Sequence, residues 1–434
     1  MRRETLGLVT LLVAVVAAAQ PPGSTALRQA FLWRSLDSWS LPISQAVMMQ
    51  KDPFASVRAQ AAGVLASNVA KKRLPLLVRY MNDGEARVRE NVMLAAGRMG
   101  RPGLRLAIHG FTDSTPLVRQ AAAWAASHGG SEAFEALSGL LVKERNRAVR
   151  ETLLANLWRL EDSPWQTLAA SYARDDDVYL RRAAAFSLSR SGDQSARAGQ
   201  RLFAADPEPV IRATALRGFE KGKLDRQDLA VLRSALEDAD WRVRAGACRA
   251  LAAHDPVALS PESARNIVDF FSSPHPHLAV SAIAAAASQD RSGTAADLLR
   301  LVHGDEPWLA SEAFVALARR DVPAVVPVAK SWFESENPWR RRAAARSAAE
   351  LGPEFERRAA GDADPSVRLA WLSALDDGAT QERREVLTEL VKNDPDVAVR
   401  ANILSLLRRA GVAPGPEELI GFYAAWSRDT MPDA

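Results

Sequence analysis

The chain has 434 residues, of which 47% are hydrophobic and 25% are charged. Its 56 Lys and Arg residues nearly balance its 52 Asp and Glu residues, so the formal net charge at pH 7 is only +4. A small, well-mixed charge excludes the basic stripe typical of nucleic-acid binding, and a single cysteine excludes an intrachain disulfide.

The first residues are predicted to form a secretory signal peptide. Arg2 and Arg3 precede an apolar run of 14 residues, which ends in small residues before Gln20. Such a run is short for a membrane span, although retention as an uncleaved anchor is an alternative. We therefore expect residues 1–19 to be removed, leaving a periplasmic or secreted protein with no membrane span.

Beyond a predicted capping helix within residues 20–48, one spacing recurs: an acidic residue, five residues, then an arginine. The copies are Asp52/Arg58, Asp83/Arg89, Asp113/Arg119, Asp175/Arg181, Asp206/Arg212, Asp238/Arg244, Asp362/Arg368 and Asp394/Arg400, with Glu144/Arg150 as a near match. Weaker copies centre on Val280, Ala310 and Arg341. The twelve anchors have a mean period of about 31 residues, which predicts a repeat array over residues 49–412.

Each copy predicts a turn followed by the start of a helix. The acid accepts backbone N–H groups at the turn, and a nearby proline favours a helix entrance. Apolar residues then follow at helical spacing, as in Ala184 and Leu188, and a shorter amphipathic segment precedes each turn. The unit is therefore helix A, an acidic turn and helix B. We expect each arginine to reach the acid of an adjacent turn, which makes these residues structural.

The unit Asp-Pro-x-x-x-Val-Arg-x-x-Ala resembles HEAT repeats, in the short form of bacterial HEAT-like and phycobilin-lyase-type proteins. The resemblance covers roughly residues 45–430. It implies an all-α, armadillo-type fold, an α-solenoid superhelix of stacked antiparallel helix pairs. It also implies a concave, partner-facing surface lined by the B helices.

The array departs from its own rule in two turns. The turn before Val280 contains His275 and His277, and the turn before Ala310 contains His303. With neighbouring acidic residues these histidines have the chemistry of a zinc site. The alternative is a degenerate loop with histidines that face solvent, and we predict no metal.

Aromatic residues supply candidates for partner binding. Tyr179, Trp308 and Trp339 each lie two residues before an anchor, on the turn side of helix B. Exposed tryptophans often mark interface hot spots. By contrast, we expect Trp124, Trp158, Trp371 and Cys248 to lie in the core.

The final segment, residues 413–434, is predicted to be the first helix of an incomplete thirteenth repeat. The repeat spacing places an arginine six residues after Asp429, one position beyond Ala434. We therefore expect the gene product to continue.

The sequence predicts a non-enzymatic scaffold of the bacterial cell envelope that binds a protein or peptide along its concave face. We expect no cofactor, no nucleic-acid partner and no small-molecule substrate. An alternative is the N-terminal binding arm of a larger exported enzyme, for example a cyclophilin-type peptidyl-prolyl isomerase, with its catalytic domain beyond residue 434. A lyase-like role, implied by the phycobilin-lyase resemblance, is disfavoured because that chemistry would hardly be exported.

Overall fold

The computed structural model describes residues 43–67, 74–257, 259–289 and 294–429. The predicted signal peptide, most of the predicted capping region and residues 430–434 lie outside these ranges. Within them, all regular secondary structure is helical and no strand occurs. The predicted fold class, an all-α solenoid of stacked helix pairs, is confirmed.

The helices alternate as A and B members of twelve pairs, which are numbered here in chain order. The A helices are Ile43–Met48, Leu74–Val78, Leu104–His109, Phe134–Lys143, Trp165–Ser171, Gln194–Phe203, Arg226–Leu236, Pro261–Asp269, Thr294–Val302, Val322–Phe333, Pro353–Ala360 and Arg384–Asn393. The B helices are Ala55–Ser67, Ala86–Met99, Pro116–Ser127, Arg147–Ala155, Val178–Ser189, Pro209–Leu216, Trp241–Ala252, Pro276–Ser288, Pro307–Ala318, Pro338–Arg346, Pro365–Ala374 and Val397–Arg409.

Three further α-helices depart from this alternation. Ala348–Leu351 follows the B helix of pair 10, Asp377–Glu382 precedes the A helix of pair 12, and Pro416–Asp429 follows pair 12. In several pairs the A helix tightens into a 3₁₀ turn before the acid, as at Arg79–Asn82. A 3₁₀ turn shortens the helix end and leads directly into the extended backbone of Asp83.

The B helices begin where the sequence supplies both a cap and a suitable first residue. The side chains of Asp177, Asp240, Asn337 and Asp396 accept backbone N–H groups of the first turn. Proline occupies the first helical position in B helices such as Pro116–Ser127, where its missing N–H costs nothing.

The core lies between helices and is built largely from valine, leucine and alanine. The apolar residue before most anchors is buried, as for Val88 and Val118. Buried alanines on the same helices, including Ala96 and Ala122, let successive B helices approach closely. Cys248 is fully buried as expected, and burial raises the pKa of its thiol to about 12.

The chain divides into two compact units, Met1–Val231 and Leu232–Ala434. Pairs 1 to 6 lie in the first unit, and pairs 8 to 12, together with the B helix of pair 7, lie in the second. None of the helices in the described ranges is long and apolar enough to cross a lipid bilayer.

Candidate binding site

The anchor residues form a ladder of ion pairs between successive helix pairs. In each tight rung, Nε of the arginine donates to the acid at the start of the next B helix. The rungs are Arg58–Asp83 at 2.6 Å, Arg89–Asp113 at 2.7 Å, Arg119–Glu144 at 2.7 Å, Arg181–Asp206 at 2.9 Å, Arg341–Asp362 at 2.9 Å and Arg368–Asp394 at 2.7 Å. This is the ladder that the repeated spacing predicts.

Each guanidinium also fixes its own turn. Nη1 of Arg89 donates to the backbone carbonyl of Asp83 at 2.7 Å, while Nε and Nη2 hold both carboxylate oxygens of Asp113. The carboxylate of Asp113 in turn accepts the backbone N–H of Thr115 at 2.9 Å. One arginine therefore closes its own turn and joins two helix pairs, a use that its planar fork of donors permits and lysine does not.

The predicted anchor Arg212 bonds to the backbone of its own turn. Its Nη1 donates to the carbonyls of Asp206 and Pro207, both at 2.9 Å. This contact differs from the predicted one, an ion pair with the acid of the adjacent turn, Asp238, and that ion pair stays a prediction. Arg212 therefore shares with Arg89 the role of closing the turn that precedes its helix.

The ion pair predicted between Arg400 and an acid of an adjacent turn stays a prediction. Its Nη1 donates to the carbonyl of Asp394 at 2.8 Å, so its own turn is closed. The guanidinium lies over the ring of Trp426, 5.0 Å from the centroid. Nε1 of Trp426 donates to the carbonyl of Val391 at 2.8 Å, which fixes the indole in this position. Arg400 therefore makes a cation–π contact with the helix Pro416–Asp429.

The ladder lowers the pKa of several of its carboxyl groups. The acids Asp83, Asp113 and Glu144 have pKa values below their usual range, first because the arginine of the preceding pair donates to them. Partial burial acts in the opposite direction. These carboxylates therefore stay charged at neutral pH.

The structure corrects the predicted register of pair 8. The B helix begins at Pro276 after the N-cap His275, and the N–H of Ala279 bonds to the carbonyl of His275 as each anchor does in the other pairs. The anchor position is therefore Ala279, and Val280 was wrong by one residue. Residues 278–280 are all apolar, so the hydrophobic pattern fits both registers and only the cap decides.

With this register, serine replaces the acid in two turns. Oγ of Ser273 accepts the N–H of His275 at 3.1 Å in pair 8, and Oγ of Ser335 accepts the N–H of Asn337 at 3.2 Å in pair 10. In pair 9 the same position is Gly304. The hydroxyl retains the capping bond of the turn but carries no charge, so the ladder is interrupted between Arg244 and Arg341.

The histidines of pair 8 pack against a tryptophan. The ring of Trp241 stacks on His275 with centroids 4.7 Å apart, and it lies 6.4 Å from His277 in a nearly parallel orientation. His303 is exposed in the turn of pair 9. In the described part of the chain, no three His, Cys, Asp or Glu side chains are arranged to hold a metal ion. Sequence reasoning missed Trp241, although it lies on the same turn side of helix B as the aromatics that were noticed.

The three predicted partner-binding aromatics differ in exposure. Tyr179 and Trp339 are 47% and 56% exposed, whereas Trp308 is half-buried. An arginine covers one face of each exposed ring: Arg147 lies 4.3 Å from the centroid of Tyr179 and Arg342 lies 4.8 Å from that of Trp339. These cation–π contacts hold the rings at the surface in a fixed orientation.

The tryptophans expected in the core lie in two environments. Trp371 is buried, as expected. Trp124 and Trp158 are only partly buried and pack at the edge of the core. The ring of Trp158 carries the guanidiniums of Arg159 and Arg190 at 4.3 and 4.5 Å from its centroid. Trp124 lies on the B helix of pair 3, and Trp158 lies in the 3₁₀ turn that follows the B helix of pair 4.

A groove opens on the B helices of pairs 7 to 10, wholly within the second unit. It encloses about 290 Å³. Its apolar floor includes Val280, Ala284 and Val315, and its rim carries Glu312, Arg319 and Arg346. Nη1 of Arg346 donates to Glu312 at 2.8 Å, so part of this charge is already paired.

Two residues of the groove floor, Ala284 and Val315, occupy the same position of the repeat. Five residues after the anchor, pairs 3 and 5 carry Trp124 and Phe186, while pairs 8 and 9 carry Ala284 and Val315. Pair 10 places Arg346 at this position, on the rim.

A second hollow of about 630 Å³ lies in the first unit, between the A helices of pairs 3 and 4. Ile108, Phe111 and Leu140 line it together with the intact rung of Arg119 and Glu144.

The family comparison follows from this repeated geometry. The family model for HEAT repeats matches residues 46–127 and 199–287. The chain is a HEAT-repeat protein. No curated protein sequence matches the chain significantly.

Solved structures of other helical-repeat proteins are similar to this HEAT-repeat chain at low sequence identity. Kap95p, in a structure concerning its binding to RanGDP, is 12% identical with a TM-score of 0.49 over 97% of this chain and 70% of Kap95p. Kap121p bound to Pho4p is 14% identical with a TM-score of 0.45 over 97% of this chain. An engineered protein is 17% identical with a TM-score of 0.40, covering 86% of this chain and 99% of its own. The chain spans about half the length of Kap121p, 52%.

Proposed function

We propose that this HEAT-repeat protein is a non-catalytic scaffold that binds an extended protein or peptide segment in the groove of pairs 7 to 10. The observation that carries the proposal is the combination of an apolar floor at Val280, Ala284 and Val315 with charged side chains at the rim. Binding sites for extended segments combine an apolar pocket that supplies affinity with a few polar groups that fix orientation.

The size of the groove favours a side chain over a whole small molecule. Its volume of about 290 Å³ lies at the lower end of ligand pockets, and it is open along the face of the B helices. An apolar side chain of a partner fits such a hollow, while the rest of the segment extends over neighbouring pairs. Trp339 of pair 10 and Trp308 of pair 9 are proposed as additional contacts on the turn side of the same pairs.

The experiment fills the groove with a bulky side chain. Residues 20–434 are purified and used to select binders from a displayed library of random peptides, and the selected peptides are then titrated against variants. Because Ala284 is exposed, Ala284→Trp fills the groove without disturbing the core. We expect it to weaken binding by about tenfold or more, the equivalent of one lost hydrophobic anchor.

The matched control is Ala401→Trp, which adds the same ring at an exposed position on the B helix of pair 12, outside the groove. We expect it to leave peptide affinity unchanged. If both variants bind the selected peptides as tightly as the wild type does, the groove is not the binding site.

Export is a separate part of the proposal and is supported by the sequence of residues 1–19. Expression of the full chain in a bacterium, followed by fractionation and N-terminal sequencing, tests it. We expect the protein in the periplasm or medium with Gln20 as its first residue. Recovery from the cytoplasm with Met1 retained would contradict export without affecting the groove.

A further inference from the structure

The ladder is incomplete at Arg244, in the same pairs that form the groove. Nη1 of Arg244 donates to the backbone carbonyls of Asp238 at 2.6 Å and Ala239 at 3.0 Å, as in the regular anchors. Its Nε is buried and has no hydrogen-bond partner, whereas Nε of Arg89 or Arg368 donates to a carboxylate.

Ser273 explains why the rung is missing. It stands at the turn position where the preceding pair carries Asp238, and its Oγ accepts the N–H of His275. No Asp or Glu carboxylate of the described residues lies within ion-pair distance of Arg244. The guanidinium lies over the ring of Phe270, 5.5 Å from its centroid.

Arg150 provides a useful contrast. Its Nε also lacks a hydrogen-bond partner, but its Nη2 lies 3.7 Å from Asp175, so a carboxylate of the chain faces it. Arg244 is instead oriented for a carboxylate that the described part of the chain does not supply. A buried N–H of a charged group without an acceptor is costly, and a carboxylate brought by a partner would remove that cost.

We propose that the open rung at Arg244 receives the side-chain carboxylate of an aspartate or glutamate in the bound segment. The replacement of the acid by Ser273 leaves this edge with an uncompensated positive charge, which is complementary to an acidic residue. Asp240, an acid at the start of the same helix, is paired with Arg242 at 2.8 Å.

The B helix of pair 8 contributes to both features: the turn at its start faces the open rung, and its second turn lines the groove. One bound segment can therefore reach both. The B helix of pair 8 begins at Pro276 beside His275 and His277, and Val280 in its second turn lines the groove. A segment that places an apolar side chain in the groove can therefore extend its acidic residue toward Arg244. This inference rests on the proposed function and adds the chemistry of the partner.

The experiment supplies the missing acid from within the chain. Ser273→Asp restores the geometry of the regular rungs and occupies Arg244. Ser335→Asp is the control: it adds the same charge at the same position of pair 10, but the preceding anchor is Ala310, so no arginine of the preceding pair meets it. We expect Ser273→Asp to raise the melting temperature and Ser335→Asp not to do so.

Binding is then measured with the peptides selected from the random library. We expect the selected peptides to share an Asp or Glu. Ser273→Asp should weaken their binding by about thirtyfold or more, as expected for the loss of a buried charge pair. Replacing that acid by Gln or Asn in the peptide should have a similar effect, and Ser335→Asp should leave the affinity unchanged.

The other outcomes separate the two proposals. If the selected peptides lack an acid, or bind Ser273→Asp as tightly as the wild type, the proposed role of Arg244 is wrong. If Ala284→Trp nevertheless abolishes their binding, the groove remains the proposed binding site. Selection of no peptide overturns both proposals. Millimolar acetate could stabilise the wild type but not Ser273→Asp, while the bound peptides need no acidic residue. In that case Arg244 binds a free carboxylate, and the proposal that a peptide supplies it is wrong.

Discussion

At the scale of single residues, the ladder shows how one arginine can serve two structural purposes. In the most buried rung, only 7% of the Arg368 side chain and 1% of the Asp394 side chain are exposed. Burial of such a pair costs desolvation, and the pair is tolerated because every donor of the fork finds an acceptor. The same reasoning makes the unmatched Nε of Arg244 conspicuous.

The lowered pKa values of the rung acids predict that stability depends on pH. A carboxyl group whose folded pKa lies below its unfolded pKa stabilises the fold above the unfolded value, and loses that contribution as pH falls through the folded value. We therefore expect the urea midpoint to fall as pH decreases below about 4, where Asp83, Asp113 and Glu144 become protonated.

The variant Asp113→Asn tests this directly. Its amide keeps an oxygen for the N–H of Thr115 but removes the charge facing Arg89. We expect the variant to be less stable than the wild type at pH 7 and the difference to shrink toward acid pH. The exposed Asp305, in a turn without a rung, serves as the control, and Asp305→Asn should follow the wild type. An equal difference for Asp113→Asn at all pH values would contradict the assignment.

At the scale of helices, close approach between B helices depends on small residues at particular contacts. Gly97 in the B helix of pair 2 faces pair 3: a Cβ placed there would lie 2.9 Å from Cε3 of Trp124 and 3.0 Å from Cα of Ala125. Since the second atom belongs to the backbone, a rotamer change cannot relieve the clash.

We expect Gly97→Ala to lower the free energy of unfolding by about 1 to 3 kcal/mol, the usual cost of overpacking. Gly63, in the B helix of pair 1, has open space around the same added atom. Gly63→Ala should raise the free energy of unfolding by up to about 1 kcal/mol through helix propensity. Chemical denaturation measures both, and destabilisation by Gly63→Ala or stabilisation by Gly97→Ala would contradict this account of the interface.

The sequence predicted the elements well because each signal was repeated. A single acid and arginine six residues apart would be weak evidence for any structure. Many copies of this spacing specify the turn, the start of helix B and the partner of most guanidiniums. The cation–π contact of Arg400 was not predicted, because the ring of Trp426 belongs to the helix after pair 12 and is distant from Arg400 in the repeat pattern.

Other features could not be predicted because they depend on comparisons between helices. The predicted anchor position of pair 8, Val280, was wrong by one residue, because the flanking apolar residues fit two alignments of the repeat. The groove depends on side-chain sizes in pairs 8 and 9 compared across neighbouring helices. Trp241 was missed because its contacts with two histidines join residues that are distant in sequence.

At the scale of the molecule, the organisation into pairs predicts how damage spreads. In a repeat protein each unit contacts mainly its neighbours, so stability is nearly a sum of local and nearest-neighbour contributions. The rungs of the first unit follow this rule, since each joins one pair to the next, as Arg89 does to Asp113 and Arg181 does to Asp206. Loss of one rung should therefore loosen the pairs that it joins and leave pairs farther along the unit protected.

Native-state hydrogen exchange of Asp113→Asn checks this expectation. We expect faster exchange in Ala86–Met99 and Pro116–Ser127, which the broken rung joins, and unchanged exchange in Val178–Ser189, two pairs farther along. Arg181→Gln is the reciprocal control, because it breaks the rung to Asp206 and should accelerate exchange in Val178–Ser189 while sparing Ala86–Met99. Uniform acceleration across the unit in either variant would mean that the pairs unfold as one cooperative block, and that the ladder stabilises the unit globally rather than rung by rung.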